Sequence, residues 1–128
     1  MLRLKTRSQF QAVLASAPAV KTAHFALHRT ERDLAEVFAT DQVCLGAMVP
    51  KRWAKRAVTR NLIKRQIYSL GSLSEATLLK AAYVVRLRAT FDRTQFKSAS
   101  SEQLKTAVRS ELAQLFLKAA APLPKVNA

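Results

Sequence analysis

The sequence predicts a single-domain α+β sandwich of helices on one small sheet, with elements in the order α-β-β-α-β-α. Three observations point there. The chain has 128 residues, a length that one hydrophobic core commonly serves. Segments with the two-residue period of strands alternate with segments of the 3.6-residue helical period, and no internal repeat is present. Hydrophobic residues make up 49% of the chain against only two glycines and four prolines, so a core can form despite a formal charge of +14. The domain is expected over residues 1–120, with 121–128 as a short tail opened by Ala121-Pro-Leu-Pro124.

Arg7 to Ala17 places Phe10, Val13, Leu14 and Ala17 at i, i+3, i+4 and i+7, with Ser8 as candidate N-cap and Pro18 just beyond, which predicts a short amphipathic helix. Val20 to Arg29 alternates, Phe25 and Leu27 on one side and His24, Ala26 and His28 on the other, as in a half-buried strand. Thr30 to Gln42 contains half of the eight carboxylates (Glu31, Asp33, Glu36, Asp41) around Leu34, Val37 and Phe38. It is read as a long hairpin connection to a second strand, Val43 to Val49, which Pro50 ends. Helical periodicity then runs from Arg56 to Leu70, with Gly71 in the place of a C′ glycine. On the helical wheel Val58, Leu62, Ile63, Ile67 and Leu70 share one half, opposite an arc of Arg60, Asn61, Lys64, Arg65 and Tyr68. Leu73 to Ala81 suggests another helical turn or two. Ala82 to Arg88 is a strand with Tyr83, Val85 and Leu87 on one face and Val84, Arg86 and Arg88 on the other. The last helix opens with the capping-box pattern Ser100-Ser-Glu-Gln103 and carries a stripe of Leu104, Val108, Leu112, Leu115 and Ala119.

With 22 Lys and Arg against 8 Asp and Glu and a pI near 11.0, the chain is matched to a polyanion, either nucleic acid or an anionic membrane surface. Cys44 is the single cysteine, so neither an intramolecular disulfide nor a thiolate metal cluster is available, and a reducing cytoplasm fits. The apolar stretch Phe10 to Ala15 is interrupted by Gln11 and is too short for an export signal. No run approaches the ~18 apolar residues of a membrane-spanning helix.

A nuclease that did its own chemistry would need grouped carboxylates to hold metal, or a histidine with a partner. Glu31, Asp33 and Glu36 form the only close acidic cluster, and ordinary loop solvation is favoured there over a metal site. His24 and His28 could form a ligand or acid-base pair, but with no third ligand a polar strand face is the simpler reading. Cys44 is most simply a small core residue. Lys51 to Arg65 differs from all of these, holding seven basic residues in fifteen positions and no acid. Solvated faces normally mix both signs. Arg offers a planar fork to phosphate and Lys a point charge, and Asn61 can both donate and accept. Nucleic acid is therefore favoured over an acidic protein or a membrane. Duplex DNA is disfavoured by the lack of a helix-turn-helix or zinc pattern.

The run from Gly46 through Lys51-Arg-Trp-Ala-Lys-Arg56 to Arg60-Asn-Leu-Ile-Lys-Arg65 resembles the bacterial ribonuclease P protein subunit family. That family's signature is Arg-Asn-Arg-x-Lys-Arg on a helix that follows a Gly-x-x-Val-x-Lys-Lys strand end. Arg60, Asn61, Lys64 and Arg65 match, as do Gly46, Val49, Lys51 and, as Arg for Lys, Arg52. The likeness continues in Phe10 and Val13 of the first helix, the Phe25-Ala-Leu strand, the Tyr83-Val-Val strand ending near Arg88, and the closing amphipathic helix. Leu62 departs from the third basic residue of the triplet, Leu14 stands where a second aromatic is frequent, His28 where Tyr is frequent and Tyr68 where a basic residue is common. The acidic connection is also longer than usual.

The resemblance implies a ribosomal-protein-like domain with a left-handed β-α-β crossover, against a general right-handed preference of about 98%. It implies that a large RNA partner hydrolyses precursor tRNA to release the 5′ leader. That RNA would hold the Mg²⁺, the protein supplying no catalytic residue and no metal ligand. Lys51, Arg52, Arg56, Arg60, Asn61, Lys64 and Arg65 are expected to bind the catalytic RNA. Phe10, Val13, Leu14 and His28, with Arg88 on the sheet, are expected to line a cleft for the single-stranded leader of precursor tRNA. For Phe10, plain core packing is an equal alternative. No membrane and no obligate protein partner are expected. Competing readings are a stand-alone RNA-binding or ribosomal protein, a protein-only nuclease, and a membrane-surface or acidic-partner adaptor.

Overall fold

The computed structural model describes residues 1–30, 42–91 and 102–120. Its elements are β1 (Leu2–Arg3), α1 (Arg7–Leu14), β2 (Pro18–Lys21), β3 (Phe25–Thr30), β4 (Cys44–Met48), α2 (Ala57–Ser74) with a 3-10 turn at Glu75–Thr77, β5 (Ala82–Leu87) and α3 (Glu102–Ala120). The five strands form one mixed sheet in the order β1-β4-β5-β3-β2. β4 runs parallel to both β1 and β5, while β3 is antiparallel to β5 and β2. The expected α+β sandwich is present, and β4 and β5 are parallel neighbours joined through α2. The acidic connection, the Ser100-Ser101 start of the capping box and the 121–128 tail lie outside the described residues.

The sheet separates two cores of unequal size. On one face, α2 and α3 cover Phe25, Leu27, Leu45, Tyr83, Val85 and Leu87 with Ile63, Ile67, Leu112, Leu115 and Phe116. The stripe read from the last helix is buried in full: Leu104, Val108, Leu112, Leu115 and Ala119 all lie inside. Burial of each such large side chain contributes about 1.5–3 kcal/mol. Arg109 of α3 donates to Gln66 Oε1 across the helix pair. On the other face, among the described residues, α1 covers the sheet, its Val13 packing in a small core with Leu4, Cys44, Ala82 and Val84. Cys44 is a buried core residue there, as its place on the strand suggested.

Several local expectations are corrected. The alternating run from Val20 is not one strand. It starts earlier, at Pro18, and folds back at residues 22–24, where Thr22 N donates to Phe25 O at 2.9 Å. The 30–42 segment does not join hairpin partners, because β5 lies between β3 and β4. Val84 and Val85 are both fully buried, and a strand covered on both faces belongs in the middle of a sheet. The first helix is capped by Thr6, not Ser8. Thr6 Oγ1 accepts from Gln9 N, and Gln9 Oε1 accepts in return from Thr6 N at 3.1 Å. It ends at Leu14, short of the expected Ala17, which precedes Pro18 of β2 and so is disfavoured in the helical region.

Gly71 does not end α2, which continues to Ser74. A Cβ there would collide with Leu45 Cδ2, so the glycine serves the close approach of helix to sheet. Val58, expected on the packing side, is 48% exposed, lying in the first turn before α2 reaches the sheet. Tyr68, expected on the free arc, is docked instead. Its hydroxyl accepts from Ala47 N at 3.1 Å, on the stretch of β4 that the two-residue β1 does not reach.

Candidate nucleic-acid interface

Pro50 turns the chain off the end of β4, its carbonyl accepting from Trp53 N and Ala54 N, each at 3.1 Å. This turn presents Lys51 and Arg52 to solvent, with the Arg52 guanidinium 5.4 Å from the centroid of the half-buried Trp53 ring. Arg56 is the exposed N-cap residue of α2 and makes no side-chain capping bond. Asn61, Lys64 and Arg65 are exposed on one face of the helix, while Leu62 packs partly against the core on the other. Arg60 behaves differently from its neighbours. Its guanidinium folds back and donates to Ala54 O at 3.0 Å and Lys55 O at 2.8 Å, tying the turn to the helix.

The charge placement on α2 works against helix stability. A helix N-terminus carries a partial positive charge and favours anions. Here Arg56, Arg60, Lys64 and Arg65 occupy the N-terminal half, with no acid in the first turn and no base in the last. Arg56–Arg60 and Arg60–Lys64 are like-charge i,i+4 pairs, each destabilising by about 0.2–0.5 kcal/mol. Among the described residues the two ion pairs are elsewhere, Met1 ammonium with Glu75 and His24 with Glu111, so the exposed cations of this helix have no carboxylate partner. Such a surface is stabilised by an external polyanion that meets both the cations and the helix terminus.

The residues expected at the leader cleft lie on the opposite face of the sheet. Strand register places Gly46, Val84, His28 and Pro18 in one row across β4, β5, β3 and β2. α1 covers this row: a Cβ on Gly46 would lie 2.6 and 2.7 Å from two atoms of the Phe10 ring, and His28 Nδ1 donates to Ser16 O at 2.8 Å. Donation from Nδ1 leaves His28 Nε2 to accept from Arg86 Nε, at 3.4 Å. Val13 is fully buried and belongs to the small core, and His28 is only 5% exposed. Phe10 and Leu14 are half-buried at the edge of that core. The next row, Met48, Arg86, Ala26 and Lys21, floors a strip beside α1. Arg88 is exposed at the same end of the sheet, its guanidinium donating to Thr22 O at 2.7 Å and Ala23 O at 3.1 Å.

Because β4 and β5 are parallel, Lys51 and Arg52 emerge off the same end as Arg86 and Arg88, linking the basic helix to the strip beside α1. Arg86 was identifiable from the alternation of its strand. Nothing in the periodicity of the first residues marked Arg3, whose guanidinium lies 4.1 Å from the Tyr68 ring centroid. The histidines do not form a pair. His24 sits in the turn before β3, where Glu111 of α3 accepts from its backbone N at 2.6 Å and contacts its Nδ1 at 2.8 Å, while His28 turns toward α1.

A family model described as Ribonuclease P matches residues 1–116. The ribonuclease P protein component of Ralstonia pickettii is 37% identical over 122 residues, which cover 94% of this chain and 81% of that protein. That of Burkholderia pseudomallei strain 1106a is 32% identical over 127 residues, or 98% and 87%. Among solved structures, the Staphylococcus aureus RNase P protein superposes with a TM-score of 0.68 at 20% identity, over 93% of this chain and 95% of that one. The Thermotoga maritima RNase P protein gives 0.64 at 18%, over 92% and 97%. The signature on β4 and α2, the fold that carries it and these matches over nearly the whole chain agree: the chain belongs to the ribonuclease P protein family.

Proposed function

We propose that this protein grips the catalytic RNA of a ribonuclease P with α2 and the β4–α2 turn, and holds the 5′ leader of precursor tRNA in the strip beside α1. The observation that carries this reading is the placing of Arg56, Arg60, Lys64 and Arg65 in the half of α2 where cations are least stable, with no carboxylate paired to them among the described residues. Lys51, Arg52, Asn61, Lys64 and Arg65 contact phosphates directly, whereas Arg60 holds the turn that presents them. Phe10 and Leu14 offer apolar surface to unpaired bases, and Arg86 and Arg88 offer charge to the leader backbone. Val13 and His28 act from beneath, by seating α1.

The described carboxylates do not converge on a metal site: Glu75 faces the Met1 ammonium, Glu111 is taken by Thr22 and His24, and Glu102 opens α3. We assign the Mg²⁺ and the hydrolysis to the RNA, in the cytoplasm. The test is reconstitution with the catalytic RNA at low Mg²⁺, following 5′ maturation of precursor tRNA. Stimulation by the protein is expected, with no cleavage by the protein alone. Folded protein that gives no stimulation, or that cleaves after every RNA is removed, overturns the reading.

A further inference from the structure

We propose that Arg3, on the edge strand, completes a phosphate-binding site with Lys64 and Arg65 of α2; this rests on the function proposed above. β1 pairs with β4 so that Arg3 is in register with Leu45 and shares its face, the side covered by α2. There the guanidinium carbon lies over the Tyr68 ring, 4.1 Å from its centroid. Tyr68 follows Lys64 by four positions and Arg65 by three, so the three cations gather over one stretch of helix surface. The ring is itself fixed by the bond from Ala47 N to its hydroxyl. The sheet thus fixes the tyrosine over which the arginine lies.

A cation–π contact with one ring uses only part of a guanidinium's five N–H donors, so donors remain to bind phosphate. Arg3 is exposed and has no carboxylate partner among the described residues, as is true of Lys64 and Arg65. Three cations brought together without an acid repel one another, and an RNA phosphate between them relieves that repulsion. A protein carboxylate could satisfy one cation, but the acid-free arc continues through Asn61 and Arg56, which suits the repeated charge of a phosphodiester chain. Arg3 brings to this arc a contact from an element remote from the signature helix.

The test measures binding of the full-length protein to the catalytic RNA over a series of salt concentrations, for wild type, Arg3→Gln, Arg3→Lys and Lys64→Gln. Arg3→Gln is expected to weaken binding roughly 3- to 10-fold near 0.1 M salt and to reduce the slope of log K against log salt by about 0.7–0.9, as for one lost phosphate contact. Arg3→Lys should keep the slope and lose part of the affinity, since charge remains and the planar fork does not. If Lys64→Gln lowers the slope and Arg3→Gln does not, Arg3 is only a cover over Tyr68 and this proposal fails alone. If folded wild type does not bind the catalytic RNA, the functional reading fails with it.

Discussion

Gly46 shapes the strip beside α1 by lacking a side chain. Its Cβ would lie 2.6 Å from Phe10 Cε1 and 3.1 Å from Leu4 Cδ1, so only glycine lets the aromatic ring rest on β4. Phe10 therefore packs on β4 while part of its ring stays accessible to solvent. Replacing Gly46 with Ala should displace α1 and destabilise the fold by about 1–3 kcal/mol, the usual range for overpacking, read as a lower urea midpoint at unchanged slope. The same variant should lower the preference for precursor over mature tRNA and leave affinity for the catalytic RNA nearly intact. An unchanged midpoint would mean that α1 is not seated on β4 in solution. Gly71 makes the matching contact on the other face, against Leu45, which is 1% exposed and has little room to swing away.

At the scale of elements, α2 divides its labour by side-chain position. Ile63, Ile67 and Leu70 fasten it to the sheet, Lys64 and Arg65 face outward, and Arg60 binds the carbonyls that precede the helix. Lys64→Ala should weaken RNA binding and flatten its salt dependence by about 0.7–0.9 without lowering thermal stability. Arg60→Ala should lower stability by about 1–3 kcal/mol, since two bonds from a charged donor are lost, with its effect on RNA binding arising through the loosened turn. If the two variants proved indistinguishable in melting and in salt slope, this division would be wrong. Much of the helix was legible beforehand, because its apolar period and its acid-free arc are local features. So were β5 and the stripe of α3. The insertion of β5 between β3 and β4 was not, because strand order depends on contacts between remote segments. β1 has two residues and no period to detect, so nothing local marks Arg3. Arg60 and Lys64 look alike in sequence, and only the carbonyls of residues 54 and 55 separate their roles.

For the whole molecule, the charge of +14 has opposite consequences for the free protein and for its complex. Cations on α2, on the β4–α2 turn and at the end of β5 face solvent on connected surfaces, and the two described ion pairs lie elsewhere. Folding holds these charges closer together than the unfolded chain does, so self-repulsion opposes it most strongly when screening is weak. The screening length falls from about 30 Å at 0.01 M salt to about 8 Å at 0.15 M. Raising salt over this interval should therefore raise the melting temperature of the free protein, by roughly 3–6 °C for each kcal/mol of repulsion relieved. The same change should weaken the RNA complex, because releasing the RNA's condensed counterions gains less entropy as salt rises. Lys64→Ala should raise the melting point at low salt and narrow the gap between low and high salt, as removal of one member of the repelling group requires. Melting curves in sodium chloride at 0.01, 0.05 and 0.15 M, with and without the catalytic RNA, separate the two effects. A free-protein melting point that is flat or falls with salt would show that the folded state does not concentrate its cations, and the polyanion-matched surface argued from α2 would lose its physical basis.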